Sequence, residues 1–225
     1  MSKSKNIKNI NKKPDGNVAA KSRKKMYAII SAAVVVLIAA VLVAVFVGNK
    51  KEDNKMSADT VKVKVEMENG EAFTLELYPE YAPETVKNFT ELAKSGFYDG
   101  VGFHRIVDGF MAQGGDPDGT GMGGSKKKIK GEFAANGFTQ NTLKHERGTI
   151  SMARSQDMNS ASSQFFICYD DASFLDGQYA AFGKVIEGME TVDNFLKVER
   201  TANSMGEIAS PVTPITMKKV TVLEK

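Results

Sequence analysis

A glycine-rich run, FMAQGGDPDGTGMGGSKKK at residues 110–128, holds residue types that often bind phosphate groups. It contains six glycines followed by three lysines, and residues 119–124 fit the G-x-G-x-x-G spacing of dinucleotide-binding loops. Such a loop must open a helix, because the helix N-terminus holds the pyrophosphate. The next residues, KKKIKGEF, lack an apolar stripe at helical spacing, and Ser125-Lys126 reverses the order of a P-loop. This context argues against nucleotide binding, so we expect the loop to serve another site.

Charge is unevenly distributed along the 225 residues. Residues 1–25 carry nine Lys or Arg and one Asp, a net charge of 9 − 1 = +8. The whole chain has a net charge of +3, so residues 26–225 carry 3 − 8 = −5. Because the basic character belongs to the N-terminal segment, we expect no nucleic-acid partner for the remainder.

Residues 26–48, MYAIISAAVVVLIAAVLVAVFVG, form an apolar run of 23 residues without a charge. A helix of this length, rising about 1.5 Å per residue, spans a hydrocarbon core of roughly 30 Å. The run exceeds the roughly 7–15 apolar residues of a signal peptide. We therefore predict a single-pass anchor. Basic residues at positions 21–25 favour a cytoplasmic N-terminus, with the following domain outside the cytoplasm.

The sequence thus predicts four parts. These are a basic cytoplasmic tail (1–25), a transmembrane anchor (26–48), a polar linker (49–59) and a folded domain (60–225). The only cysteine, Cys168, lies in the apolar stretch FFICY and is expected to be a buried thiol. With two histidines and one cysteine in the chain, a His/Cys metal site is not expected, and we predict no cofactor.

Residue periodicity predicts mostly β structure in the domain. Residues 61–67 alternate apolar and charged side chains, and Asn69-Gly70 fits a two-residue hairpin turn before a partner strand. Pro83 and Gly96 mark the start and end of a helix. Five strand-like runs follow, then a short helix in METVDNFLKV and a last strand with a bulge at Lys218-Lys219. Many strands, two helices and no βαβ rhythm predict a closed antiparallel barrel.

Three separated blocks of the domain resemble the signature of the cyclophilin-type peptidyl-prolyl cis-trans isomerases. They are GFHRIVDGFMAQGGD (102–116), ISMARSQDMNSASSQFFI (150–167) and FLDGQYAAFGKV (174–185). The resemblance covers essentially all of residues 61–225, in the family's order and spacing. It implies an eight-stranded barrel capped by two helices, which agrees with the strand pattern. Together with the predicted anchor, it suggests a membrane-anchored, bacterial-like member that accelerates rotation of Xaa-Pro bonds.

The resemblance assigns the catalytic set to Arg105, Gln113 and Phe110. Rotation of a peptide bond crosses a barrier of about 18–20 kcal/mol, and the twisted prolyl nitrogen becomes a hydrogen-bond acceptor. A fixed donor aimed at that nitrogen favours the transition state. Arg105 is the expected donor because its guanidinium is planar and permanently charged, although an isolated strand arginine is more often solvated or ion-paired. Gln113 is expected to hold both the arginine and the substrate backbone.

The remaining site residues are implied to line a peptide groove. The proline ring is expected to sit on Phe110, Met111, Phe166 and Leu175, although the same four could be barrel-core residues. His104 matches the family's histidine beside the arginine. A structural, hydrogen-bonded histidine is favoured over a general base there, because the reaction needs no proton transfer. Further peptide contacts are expected at Ala153, Arg154, Gln164, Phe174 and Tyr179.

Two groove positions depart from the common family pattern. Phe174 stands where many members have tryptophan, and Tyr179 where many have histidine. The first change removes the indole N–H that similar proteins use to bind cyclosporin, so we expect weak cyclosporin binding. Neither residue is the expected donor, so isomerase activity should remain. The glycine-rich run is then expected to shape one wall of the groove.

The expected partners are proline-containing segments of secreted or surface proteins, whose folding the enzyme would assist. A second hypothesis is a peptide-binding chaperone or scaffold with incidental turnover. A third is an adhesion module, which would leave the groove without a role. A donor at the prolyl nitrogen favours catalysis, because a pure binder has no need of one.

Overall fold

A computed structural model describes residues 60–223. Within this range the chain forms ten β-strands and two α-helices. The helices are α1 (Pro83–Lys94) and α2 (Met189–Asn194). The strands are β1 (Val61–Met67), β2 (Ala72–Leu77), β3 (Gly102–Val107), β4 (Met111–Asp116), β5 (Thr149–Met152), β6 (Phe165–Cys168), β7 (Ala181–Glu187), β8 (Arg200–Ala202), β9 (Ile208–Pro211) and β10 (Ile215–Val222).

Eight of these strands close into an antiparallel barrel, in the order β1-β10-β3-β4-β6-β5-β7-β2. The predicted barrel with two helices is therefore confirmed. Strands β8 and β9 form a separate two-stranded sheet that we did not predict. Its strands are only three and four residues long and contain one buried residue, Ala209, so they carry too little apolar alternation to be recognised.

The first hairpin and the last strand follow the predicted pattern. Gly70 has φ = 86°, a left-handed conformation that suits the turn between β1 and β2. Glu66 pairs with Lys219 whereas Met67 pairs with Met217, so one extra residue lies in β10 at this point. The predicted bulge is therefore confirmed. It keeps the apolar residues on either side facing inward while both lysines stay exposed.

Helix α1 places an aromatic side chain into the barrel core. Phe89 is buried, and its ring centroid lies 5.0 Å from that of Tyr98 and 5.5 Å from that of Phe165. As predicted, the helix begins at Pro83, and Gly96 follows its end with φ = 73°. This packing anchors the helix on the barrel, because buried aromatic side chains contribute large apolar areas.

The start of α1 is capped by a distant side chain. The residue before Pro83 is Ala82, which has no side-chain acceptor for the first helical N–H groups. Buried Glu132 accepts the N–H of Glu84 at 3.0 Å and the N–H and hydroxyl of Thr85 at 2.8 and 2.7 Å. A carboxylate here satisfies the free donors and also complements the helix dipole.

Within residues 60–223, no helix is long and apolar enough to cross a bilayer. The predicted anchor at residues 26–48, the basic tail and the linker all lie outside the described residues. The hypothesis of a membrane anchor therefore rests on the sequence alone.

Candidate functional site

Strands β3, β4 and β6 each present one face to the barrel core and the other to a separate apolar cluster. Ile106, Ala112 and Phe165 belong to the main core, as expected from the alternation of side chains along a strand. The second cluster consists of Met111, Phe166, Cys168, Ala172 and Leu175, bordered by the partly buried Val107, Phe110, Ala153 and Tyr179. The four residues expected to seat the proline ring are therefore brought together outside the barrel core.

Arg105 borders this second cluster and is held by a carboxylate. Its Nε donates to Glu207 Oε2 at 2.6 Å and its Nη2 donates to Glu207 Oε1 at 2.9 Å. On the other side, Nη1 lies 3.9 Å from the sulfur of Met111, and the guanidinium carbon lies 5.9 Å from the Phe110 ring centroid. The hydrogen bond from Arg105 holds the pKa of the Glu207 carboxyl below its usual range. The arginine is thus paired with a carboxylate on one side and directed toward an apolar surface on the other.

Gln113 does not hold Arg105 as we expected. The two residues are paired across β3 and β4, but Gln113 Nε2 donates to Gln164 Oε1 at 2.8 Å. Glu207 holds the arginine instead, because two ionised oxygens match the guanidinium fork better than one amide oxygen. Sequence reasoning missed Glu207, which lies 102 residues from Arg105 beside the unpredicted β8–β9 sheet. No local pattern marks it.

Backbone N–H groups of the glycine-rich loop bind a carboxylate at the start of the same loop. Buried Asp116 accepts backbone N–H groups from Asp118, Thr120, Gly121 and Gly123 at 2.7–3.2 Å. Burial raises the pKa of Asp116, but the hydrogen bonds from these N–H groups outweigh it, and the pKa lies below its ordinary value. These N–H groups therefore bind an internal anion rather than a phosphate.

The same loop forms a wall beside the site, as predicted. Gln164 Nε2 donates to the carbonyl oxygens of Gly121 and Gly123 at 3.1 and 2.7 Å, which ties the loop to Gln113. The loop borders a cavity of about 400 Å³, whose other lining residues include Gln113, Ala153, Arg154, Ser162 and Gln164. Gln113 is paired with Phe166 across β4 and β6. The polar cavity therefore adjoins the apolar cluster.

Arg154 and Tyr179 stack at the edge of this surface. The Arg154 guanidinium carbon lies 4.5 Å from the Tyr179 ring centroid, and its Nε and Nη2 donate to the carbonyl of Gln178. Tyr179 also contacts Phe166 edge to face, at 6.0 Å between centroids. Nearby, the N–H of Ala153 donates to the carbonyl of Gln164 at 3.0 Å. Tyrosine at 179 thus adds a cation–π contact that fixes the arginine.

Phe174 forms an exposed rim to the apolar cluster. It is 68% exposed, and its ring centroid lies 5.5 Å from that of Phe110, whereas the adjacent Leu175 is buried. A large exposed aromatic beside a buried apolar surface is available to a ligand. The structure thus places Phe174 at the edge of the cluster that contains Leu175.

His104 differs from the structural histidine that we expected. Its Nδ1 is buried and has no hydrogen-bond partner among the described residues. Burial lowers the pKa of His104, and the neighbouring Arg105 lowers it further, against the opposing effect of Asp116. The ring is therefore neutral at pH 7. It lies beside Arg105 and the glycine loop without adding charge to the site.

The other histidine forms a chain that resembles a hydrolase triad. His145 Nδ1 lies 3.0 Å from Asp176 Oδ1, and its Nε2 lies 3.0 Å from Ser151 Oγ. However, His145 and Ser151 are only 1% and 0% exposed, so no substrate can reach the hydroxyl. Burial lowers the pKa of His145, although Asp176 opposes this effect. These residues form a buried polar network and not a nucleophilic site.

Comparisons with known proteins show which family the chain resembles. Residues 62–222 match the family model described as cyclophilin type peptidyl-prolyl cis-trans isomerase/CLD. The chain is 46% identical over 128 residues to peptidyl-prolyl cis-trans isomerase B of Bacillus subtilis. This alignment covers 57% of this chain and 85% of that protein. It is 50% identical over 112 residues to a peptidyl-prolyl cis-trans isomerase of Helicobacter pylori. That alignment spans 50% of this chain and 65% of the relative.

A solved structure shares the fold over most of this chain. It is a cyclophilin type peptidyl-prolyl cis-trans isomerase of Cryptosporidium parvum, crystallised in the presence of the dipeptide Ala-Pro. The TM-score is 0.63 and the sequence identity 32%, with 73% of this chain and 99% of that chain covered. The similarity therefore includes the whole of the solved domain.

Proposed function

The chain belongs to the family of cyclophilin-type peptidyl-prolyl cis-trans isomerases, and on that basis we propose that Arg105 is its catalytic hydrogen-bond donor. The observation that carries this proposal is an arginine fixed on one side by Glu207 and facing the apolar cluster with Nη1 on the other. A proline ring seated on that cluster would place its nitrogen beside the free edge of the guanidinium.

The chemistry needs no nucleophile and no proton transfer. When the Xaa-Pro bond twists, the prolyl nitrogen loses amide conjugation and its lone pair becomes an acceptor. A charged donor stabilises this state more than either planar isomer, and only such differential binding raises the rate. Arg105 is 23% exposed, so its hydrogen bond forms in a partly desolvated site. The proposed role of Phe110, Met111, Phe166 and Leu175 is to hold the ring.

We infer that the substrates are extended, proline-containing segments of polypeptides, as the Ala-Pro dipeptide with the Cryptosporidium relative suggests. The cavity lined by Gln113 and Gln164 would take up residues next to the proline. The direct test is a cis-to-trans assay on an Ala-Pro peptide with the 225-residue chain. We expect isomerisation within seconds, whereas the uncatalysed reaction takes tens to hundreds of seconds. A peptide that binds without faster exchange would favour the scaffold hypothesis.

Cyclosporin should bind this protein weakly, and Phe174→Trp should strengthen binding. The substitution restores an indole donor at an exposed position of the groove. One neutral hydrogen bond contributes about 0.5–1.5 kcal/mol, which corresponds to roughly a two- to tenfold lower Kd. Isothermal titration calorimetry of both proteins measures the change, and Tyr81→Trp adds an indole outside the groove as a control. Equal Kd values for wild type and Phe174→Trp would show that position 174 does not face the ligand.

We also infer that residues 26–48 anchor the protein in the cell membrane, with the isomerase domain on the extracytoplasmic side. The support is the uncharged run of 23 residues and the basic residues that precede it at positions 21–25. Lys50, Lys51 and Lys55 follow the run, so the charge bias toward a cytoplasmic N-terminus is modest. In that position the domain would assist the folding of secreted or surface proteins.

A topology reporter tests this placement. Fused after Lys225, a reporter that is active only outside the cytoplasm should be active, and the protein should sediment with membranes. A spanning helix needs about 20 predominantly apolar residues, and arginine near its centre is costly to insert. Replacing two central residues of the run with arginine should therefore release the protein from the membrane fraction. A mature protein that begins near Asn49 in the medium would show that the run is cleaved instead.

A further inference from the structure

Glu207 is the one described carboxylate that pairs with Arg105, and it lies outside all three blocks that resemble the family signature. We propose that Glu207 is a positioning residue for the isomerase reaction, which selects the edge of the Arg105 guanidinium that faces the substrate. This inference rests on the donor role proposed above for Arg105.

The contacts determine which N–H groups remain free. A guanidinium carries five N–H donors in a rigid fork. Glu207 takes the Nε donor and one Nη2 donor, at 2.6 and 2.9 Å. The Nη1 group is left on the side of Met111, where its nitrogen lies 3.9 Å from the sulfur. The carboxylate therefore turns the unpaired edge toward the apolar cluster.

Hydrogen bonds within its own turn hold the Glu207 carboxylate independently of Arg105. Asn203 Nδ2 donates to Glu207 Oε2 at 3.1 Å, and the N–H of Glu207 donates to Asn203 Oδ1 at 3.0 Å. The backbone N–H of Asn203 also donates to the carbonyl of Glu207 at 2.8 Å. Gly206 completes this turn with φ = 78°. The segment between β8 and β9 thus holds Glu207 in one orientation, as preorganisation of a donor requires.

This arrangement gives the β8–β9 sheet a function. Without a partner, Arg105 would sample many rotamers, because a free arginine side chain is long and flexible. An ion pair with short, bidentate geometry restricts those rotamers before substrate binds. The pair is partly buried, at 23% and 32% side-chain exposure, so water screens it less than a surface pair.

The test is a double-mutant cycle of Glu207→Gln and Arg105→Ala in the 225-residue chain. Glutamine preserves the size of the side chain but places an amide nitrogen against one arginine donor. We expect Glu207→Gln to lower kcat/KM by about tenfold, since small misplacements of a catalytic group cost up to about 10² in rate. Peptide affinity should change much less. In the Arg105→Ala background, the same substitution should cause no further loss.

Glu199→Gln is the matched control, because it removes the same charge from an exposed position just before β8. It should leave kcat/KM unchanged, and circular dichroism should confirm that every variant is folded. Glu207→Gln with wild-type or higher kcat/KM would overturn the proposal. So would a loss that persists in the Arg105→Ala background, because Glu207 would then act through the fold. The Arg105→Ala single variant separately reports whether the donor assignment itself holds.

Discussion

Arg105→Ala is expected to lower kcat/KM by a factor on the order of 10²–10³, about 3–4 kcal/mol, because it removes a preorganised donor. The hydrogen bond to the prolyl nitrogen exists mainly in the twisted state, so its loss should appear in kcat more than in peptide affinity. The apolar cluster that would seat the ring remains in the variant. Initial rates on an Ala-Pro peptide and calorimetric Kd values on the same preparations measure both quantities.

Two further variants are compared with Arg105→Ala. Arg105→Lys should restore little activity, because a flexible ammonium cannot reproduce the planar fork. Arg147→Ala is a matched control, because Arg147 also pairs with a carboxylate, its Nη2 donating to both oxygens of Asp193 at 2.9 and 2.7 Å, and it is not among the residues proposed to line the groove. It should leave kcat/KM unchanged. A proportional loss of rate and affinity in Arg105→Ala would make Arg105 a general binding contact and favour the scaffold hypothesis.

Glu132→Ala is expected to lower the free energy of unfolding by about 3 kcal/mol, because it leaves buried donors without an acceptor. Thr85 is fully buried, and both its N–H and its hydroxyl donate to Glu132. The N–H of Glu84 loses its partner too, although the exposed position of this residue allows water to replace it. A loss of this size corresponds to roughly 6–12 °C in Tm for a domain of 150–250 residues.

Urea unfolding followed by circular dichroism measures this change. Glu132→Gln retains one acceptor oxygen and should lose less stability than the alanine variant. Glu84→Gln removes a charge from the exposed first turn of α1 and should cost only about 0.3–1 kcal/mol, as expected for a charge near the helix dipole. If Glu132→Ala were no less stable than Glu84→Gln, the remote cap would not contribute to the fold.

Local sequence patterns predicted the elements whose residues alternate clearly. Strands β1 and β2 have apolar residues at every second position, and the phase change at Lys218-Lys219 located the bulge in β10. Pro83 and Gly96 bounded α1 because each has a backbone preference that sequence alone reveals. The closed barrel was predicted from the many strands, the presence of only two helices, the absence of a βαβ rhythm and the family resemblance.

For β4, the sequence did not predict which residues face the barrel core. Met111 and Ala112 are both apolar, yet Ala112 enters the barrel core and Met111 joins the second cluster. Residue periodicity does not distinguish small from large apolar residues, so the packing determines which of the two faces the barrel core. The three signature blocks nevertheless grouped Phe110, Met111, Phe166 and Leu175, which the structure also brings together beside Arg105.

Partners that are distant in sequence could not be predicted. Glu207 lies 102 residues from Arg105, and Glu132 lies 47 residues from Thr85. Each contact depends on how loops fold back onto an element, and such long-range pairing has no period or motif. For the same reason the sequence predicts that Gln113 holds the arginine, whereas its side chain donates to Gln164 in the structure. The resemblance gave the residue types of the site, whereas the hydrogen-bond network required the structure.

The most direct measurement is the exchange rate between cis and trans forms of a bound Ala-Pro peptide, observed by NMR exchange spectroscopy. Wild-type protein and Arg105→Ala are compared at the same bound fraction of peptide, so that affinity does not enter the comparison. We expect rapid exchange on the wild type and exchange slower by a factor on the order of 10²–10³ on the variant, at nearly unchanged Kd. Equal exchange rates on the two proteins would contradict it, because the site would then isomerise proline without the donor.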